Sequence, residues 1–449
     1  MATIEFEDTL KPIHLDHLKG QSPEFIRIHN HFSTQLLSQG QQCSVLISRA
    51  AEAPEHTLLQ LYSAMLYLYD MTTTSFSTVR VSTHKILEKK GLTNYEKALA
   101  NAVLATANNQ FSRAINLFEA ITQQFPQDLI SFKFCEYLYF ICGYDFCKTR
   151  FLNHSARLAS LHASNPYLLA SHAFAQSLNK AFTQSEQTAL KAIDIEPVNP
   201  WAHHALAHVY LMQGKIDKGL SDLESFAPLW RKSAWTALCH NSWHLGLFMI
   251  ANLKLQQAED LCMRQLWDGM QEHQFVHIDF DVISLLWRLE LAGHTVNPSL
   301  FALFRDHLTD HINHFVCPYQ TAHYIYALVK AGEIELADNL VIQAEKESER
   351  MQPQEQQTWR LALVFLKGVN AFVNEDYHLA ASYLESSIAD INRYGGSDGQ
   401  IDLFYQTYLY CLIKTQQTQK ASQILLHRLK ENGLERRPYP LEMYWNSLL

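Results

Sequence analysis

The chain has 449 residues, 47% of them apolar, and a formal net charge of −9. Only 15 Gly and 13 Pro occur, so breakers and tight turns are scarce, which argues for helices over a many-stranded sheet. An acidic chain with no basic stripe cannot neutralise a phosphate backbone, so nucleic acid is not an expected partner. The opening MATIEFEDTL is acidic and has no apolar run, unlike a signal peptide. The longest apolar runs, such as 245–251, are too short to span a bilayer, so no membrane partner is expected. The eight cysteines form no CxxC pair, which reads as buried, reduced thiols and a cytoplasmic location.

Residues 1–22 read as a lead-in, and 23–449 as one continuous helical-repeat domain. Two or three helices are expected within 23–92. Residues 70–78 are expected to form a loop, because hydroxyl and β-branched residues cluster there. From residue 96 onward a repeat emerges. Ala114 is a small residue where two helices would cross, Phe118 a large one filling the gap, and Pro126 a stop. Ser185, Ala189, Ala192 and Pro197 repeat that spacing, and Gly219, Leu223 and Phe226 follow a Gly214-Lys215 turn.

The small residue recurs at Ala258, Ala337, Ala380 and Ala421. The step from Ser185 to Gly219 is 34 residues, the period of a tetratricopeptide hairpin. Wider steps leave room for degenerate hairpins near 135–165 and 280–310. The clearest repeats lie at about 96–130, 166–270 and 318–430. The expected fold is all-α: a tetratricopeptide-like α-α superhelix forming a single curved domain.

Histidine is abundant, at 23 residues. HxxxH pairs occur at 204/208, 240/244, 273/277 and 307/311. Residues i and i+4 share one helix face, so each pair can present two imidazoles together. His204 and His240 are 36 residues apart, close to one repeat. His204, His208, His240 and His244 therefore belong on first helices of adjacent hairpins, facing the concave wall. Converging neutral imidazoles suit zinc, iron or manganese, or general acid–base chemistry. The blander reading is histidines packed and hydrogen-bonded in the helix stack.

Other polar residues could join them. His323 falls at a matching repeat position. Asp281 stands at the head of an apolar run, where an N-cap is the simpler reading. The segment 395–402 is Gly-rich, with Ser397 or Asp398 as the next N-cap. Cys239 adjoins His240 and is a candidate reactive thiol. No P-loop, GxSxG, HExxH or EF-hand pattern is present.

The stretches 108–144, 201–212, 240–244, 281–293, Ala322-His323 and 395–404 together resemble the tetratricopeptide repeat protein 38 family and its bacterial relatives. The resemblance runs over nearly the whole chain. It implies a polar signature of His204, His208, His240, His244, Asp281, His323, Gln400 and Asp402. It also marks departures. Where relatives carry acids, this chain has Leu211, Thr321 and Asn179, and Ile401 replaces an Arg. A carboxylate usually orients a metal-bound imidazole, so these changes imply altered chemistry, a metal held by histidine alone, or a lost activity.

The expected function is a histidine-lined concave pocket for a small molecule or peptide. A divalent metal would be held by His204, His208, His240 and His244. Trp201, Asn241, His323, Gln400 and Asp402 would contact ligand. If the site is catalytic, His208, His244 and Asp281 would carry hydrolysis or acyl transfer. The alternative is a non-catalytic scaffold for a protein partner, since fold alone does not assign function.

Overall fold

Small residues let helices cross closely, and the residues singled out above sit at such crossings. Ala114, Ser185, Ala258, Ala337, Ala380 and Ala421 are fully buried. A Cβ on Gly219 would meet the Phe248 ring at 2.2 Å, so only glycine fits there. The computed structural model describes residues 16–267, 276–308, 312, 315–430 and 436–449. It is an all-α, tetratricopeptide-like solenoid. Among the described residues there is no strand, only a single β-bridge between Gly40 and Ser233.

The helices pair in chain order. Of the first helices, α1 (Pro23–Ser38) packs against the helices at 129–141 and 166–178 and α2 (Val45–Glu52) against α3 (Thr57–Leu68); the first hairpins are α3 with α4 (Thr73–Leu87), and α5 (Asn94–Ala107) with α6 (Phe111–Gln124). Next come α7 (Leu129–Ile141) with α8 (Tyr144–Leu161), and α9 (Pro166–Leu178) with α10 (Phe182–Ile195). The central hairpins are α11 (Pro200–Met212) with α12 (Ile216–Trp230), and α13 (Trp235–Ala251) with α14 (Leu255–Leu261), which runs into a π-turn over Cys262–Trp267. Then follow α15 (Val276–Leu291), α16 (Pro298–Leu308), α17 (Pro318–Lys330), α18 (Ile334–Ser348), α19 (Pro353–Val373) and α20 (Tyr377–Ser387). The chain ends with α21 (Asp398–Lys414), α22 (Thr418–Lys430) and α23 (Pro440–Ser447). One apolar core extends from Leu18 to Trp445. No helix among the described residues is long and apolar enough to cross a membrane.

The N-terminal part departs from expectation. It holds four helices before residue 92, not two or three. The expected loop at 70–78 is instead the start of α4. Thr72 caps that helix by accepting from the Ser75 N–H at 3.1 Å, so a hydroxyl residue starts the helix here. Phe76, Val79 and Ile86 supply its buried face. Residues 1–15 lie outside the described residues. The turn Asp16–Leu18 buries His17, whose ring centroid is 4.6 Å from that of Tyr95.

A polar ladder shows that repeat geometry extends to the N-terminus. His29 Nδ1 meets the Tyr62 hydroxyl at 3.1 Å, Tyr62 meets Tyr95 at 3.4 Å, and Tyr95 donates to Asp128 at 2.8 Å. Each step spans 33 residues.

Two straps close the curve. The α1–α2 corner docks on the α12–α13 corner, where the Ala234 N–H donates to the Gln39 carbonyl at 2.7 Å. The second strap, residues 394–400, leads into α21 and threads between hairpins. The Tyr144 N–H donates to the Gly396 carbonyl at 2.9 Å, and the Tyr319 N–H to the Tyr394 carbonyl at 2.8 Å. From α15, the buried Arg288 donates to the Gly399 carbonyl at 2.7 Å and the Gln400 carbonyl at 3.2 Å.

Candidate functional site

Helices α11 and α13 each place two imidazoles on one face, and the straps bring polar groups against them. The rings form a tight cluster. Centroid separations are 4.5 Å for His204–His208, 4.7 Å for His208–His244, 4.8 Å for His204–His244 and 5.1 Å for His204–His240. One ring nitrogen from each of His204, His208 and His244 lies within 4.8 Å of the others. His204 Nε2 and His208 Nε2 are 3.1 Å apart. All three residues are buried.

Carboxylates hold two of the four rings. His208 Nδ1 is 2.7 Å from Asp398 Oδ1. His240 Nδ1 is 3.1 Å from Asp281 Oδ2. With Nδ1–H given to a carboxylate, Nε2 keeps its lone pair as an acceptor or ligand atom. Other nitrogens lack protein partners: His204 Nδ1 and both nitrogens of His244. Burial, reinforced by the neighbouring imidazoles, holds His204 and His244 well below the usual histidine range, so both are neutral near pH 7. Burial pushes the Asp281 carboxyl up, opposed by His240 and Arg288.

The cluster forms part of the wall of a cavity of about 670 Å³. His204, His240, Asp281, Gln400 and Trp201 line it. Trp201 stacks on His204 with centroids 4.2 Å apart and planes 9° from parallel. Its Nε1–H donates to Glu136 at 2.7 Å. Glu136 also accepts from Lys133 Nζ at 2.8 Å and Ser171 Oγ at 3.0 Å. His208 and His244 lie behind this wall, fully buried.

Other expected residues sit elsewhere. Asp281 is not an N-cap. It lies within α15, and the carboxylate that a cap would turn to the backbone instead meets His240. His323 is packed against Tyr319, Phe404 and Trp287, away from the cavity wall, and its Nδ1 donates to the Tyr319 carbonyl at 2.8 Å. Asp402 is ion-paired with Arg428. Asn241 is buried and donates to the Pro200 carbonyl at 3.2 Å and the Ala237 carbonyl at 3.0 Å. Ser397 holds the N-cap position of α21, where its N–H donates to Gln400 Oε1 at 2.9 Å while its own Oγ has no partner. Burial raises the Cys239 thiol, which is the opposite of what a reactive thiolate needs. The pairs 273/277 and 307/311 lie outside the residues whose side chains are described.

Three polar residues were not among those expected: Asp398, Lys133 and Glu136. Lys133 and Glu136 were legible in principle, as two charges on one face of the apolar run LISFKFCEYLYFI. Asp398 carried no local signal beyond its place in a helix start.

A family model for the tetratricopeptide repeat matches residues 188–220. The matched span includes the whole of α11, so the repeat it identifies carries His204 and His208.

Proposed function

We propose that this helical-repeat protein binds a small molecule in its concave cavity, beside a divalent metal held by His204, His208 and His244. The observation that carries the reading is the convergence of three buried imidazoles within 4.8 Å, with His208 anchored by Asp398. Neutral imidazoles with a carboxylate behind one of them match the donor set favoured by zinc, iron or manganese. The nitrogens without protein partners support it too, because a buried polar atom left unpaired costs stability.

A bound metal of this kind would supply a polarising Lewis acid and an activated water. Hydrolysis or acyl transfer is the reaction class that fits. His240, held by Asp281 on the cavity wall, would then orient the ligand's polar group. The cavity volume falls in the range of small-molecule sites, roughly 300–1,000 Å³. With residues of both straps in the lining, that favours a small molecule over the extended peptide that such repeats commonly hold.

Elemental analysis of tag-free protein tests the metal. Near-stoichiometric zinc, iron or manganese is expected, and it should be lost in the His208→Ala/His244→Ala double variant. Protein that is isolated metal-free, and takes up none of the three on titration, would overturn the reading.

A further inference from the structure

The charges around the cavity say what kind of molecule it can take. Lys133 is ion-paired with Glu136 at 2.8 Å, and Glu136 is further held by Ser171 and Trp201. Asp281 is held by His240. Asp70 accepts from Ser75 Oγ at 3.0 Å. Each lining charge is thus in contact with a neighbouring polar side chain. A charged ligand would have to break one of these pairs or enter uncompensated, and either is costly in a buried site.

The rest of the lining is dominated by rings, among them Tyr69, Tyr137, Phe140, Tyr144, Phe174 and Trp201. Polar atoms of several of these rings are engaged by the wall. The Tyr137 hydroxyl donates to the Leu68 carbonyl at 2.7 Å, and the Trp201 N–H is taken by Glu136. What remains toward the ligand is largely ring and aliphatic surface. At one end stands His240, whose Nδ1 is held by Asp281 and whose side chain keeps 21% of its surface exposed.

From this we propose that the ligand is an uncharged, largely apolar organic molecule with a hydroxyl or carbonyl at the end that meets His240. This rests on the small-molecule reading of the cavity but not on the metal. Burial against the aromatic wall supplies the affinity, and the lone polar end sets the orientation. Fatty acids, amines and phosphorylated metabolites are excluded by charge, whatever their size.

The test uses the full chain and the uncharged fluorophore N-phenyl-1-naphthylamine. One probe per chain should bind with enhanced emission. At equal chain length, 1-decanol should displace it, whereas decanoate and decylamine should be about tenfold weaker or worse. Leu66→Trp, which fills the cavity from α3, should abolish binding while circular dichroism and Tm stay near wild type. Displacement by decanoate or decylamine as readily as by decanol would overturn the proposal. So would absence of probe binding, or binding that Leu66→Trp leaves unchanged in a folded protein. Metal content measured on the same samples separates the two ideas. Probe binding without metal would sink the metal centre alone, and metal without probe binding would sink the ligand class alone.

Discussion

His208 Nδ1 and Asp398 Oδ1 lie 2.7 Å apart although 190 residues separate them in the chain. The contact joins α11, in the middle of the repeat array, to the first turn of α21. It places a carboxylate behind an imidazole whose other nitrogen faces His204. Asp398→Asn keeps the shape and removes the charge. Zinc affinity, read by competition with a chromophoric chelator, should fall about 10–100-fold. Tm of the metal-free protein should barely move. A large loss of metal-free stability with unchanged zinc affinity would mean that the pair is structural.

Metal should stabilise the native chain by mass action. Zinc at about one hundred times its Kd should add about 2.7 kcal/mol, seen as a rise in Tm. A chelator should reverse the rise in wild type and do nothing to the His208→Ala/His244→Ala variant. Equal zinc responses in both proteins would argue against the triad as the site.

Several histidines outside the triad are buried neutral. Burial lowers His29 and His323 to about 3, and His154 and His203 to about 4. Each is depressed below its unfolded value of about 6.5. The unfolded chain therefore binds more protons between that value and pH 3–4. The stability these groups contribute is complete above about pH 6.5 and is lost as pH falls through the folded pKa values. Tm should fall steadily from about pH 6.5 to about pH 4. A Tm that is flat over this window would contradict the buried, neutral assignment.

Gly143 lets the second strap approach α8. Gly143 has φ +88°, and a Cβ there would lie 2.0 Å from the Asn392 carbonyl oxygen. The next residue, Tyr144, donates its N–H to the Gly396 carbonyl. Gly143→Ala should therefore push the strap away from α8. An unfolding free-energy loss of about 2–4 kcal/mol is expected by urea titration. Since the strap carries Asp398, zinc affinity should fall with it. Gly332→Ala serves as the control. It also has positive φ, +87°, but a Cβ there has nothing within 4 Å. It should cost about 1 kcal/mol and leave zinc binding intact.

Repeat spacing was legible wherever small crossing residues survive, because close helix approach leaves almost no choice of side chain. The crossings at Ala114, Ser185 and Gly219 are of this kind. From α1 to the start of α7 the repeat is also marked by the ladder His29, Tyr62, Tyr95 and Asp128. A shared hydrogen-bonding position need not share a residue type, so no motif announced it. The loop expected at 70–78 failed for a related reason. Thr72 is a poor interior residue but a good cap, and composition does not distinguish the two roles.

The sequence by itself determined the all-α repeat fold and the pairing of histidines on the α11 and α13 faces. Both follow from local periodicity, in which i and i+4 and one repeat later fall on the same surface. Only the tertiary structure decided which groups stand opposite those faces. Curvature accumulates a small rotation at every hairpin, and it brings residue 398 to residue 208 and residue 40 to residue 233. No spacing in the chain encodes that sum. It turned Asp398 and Asp281 into partners of His208 and His240, left His323 and Asp402 in the packing, and assembled the cavity wall.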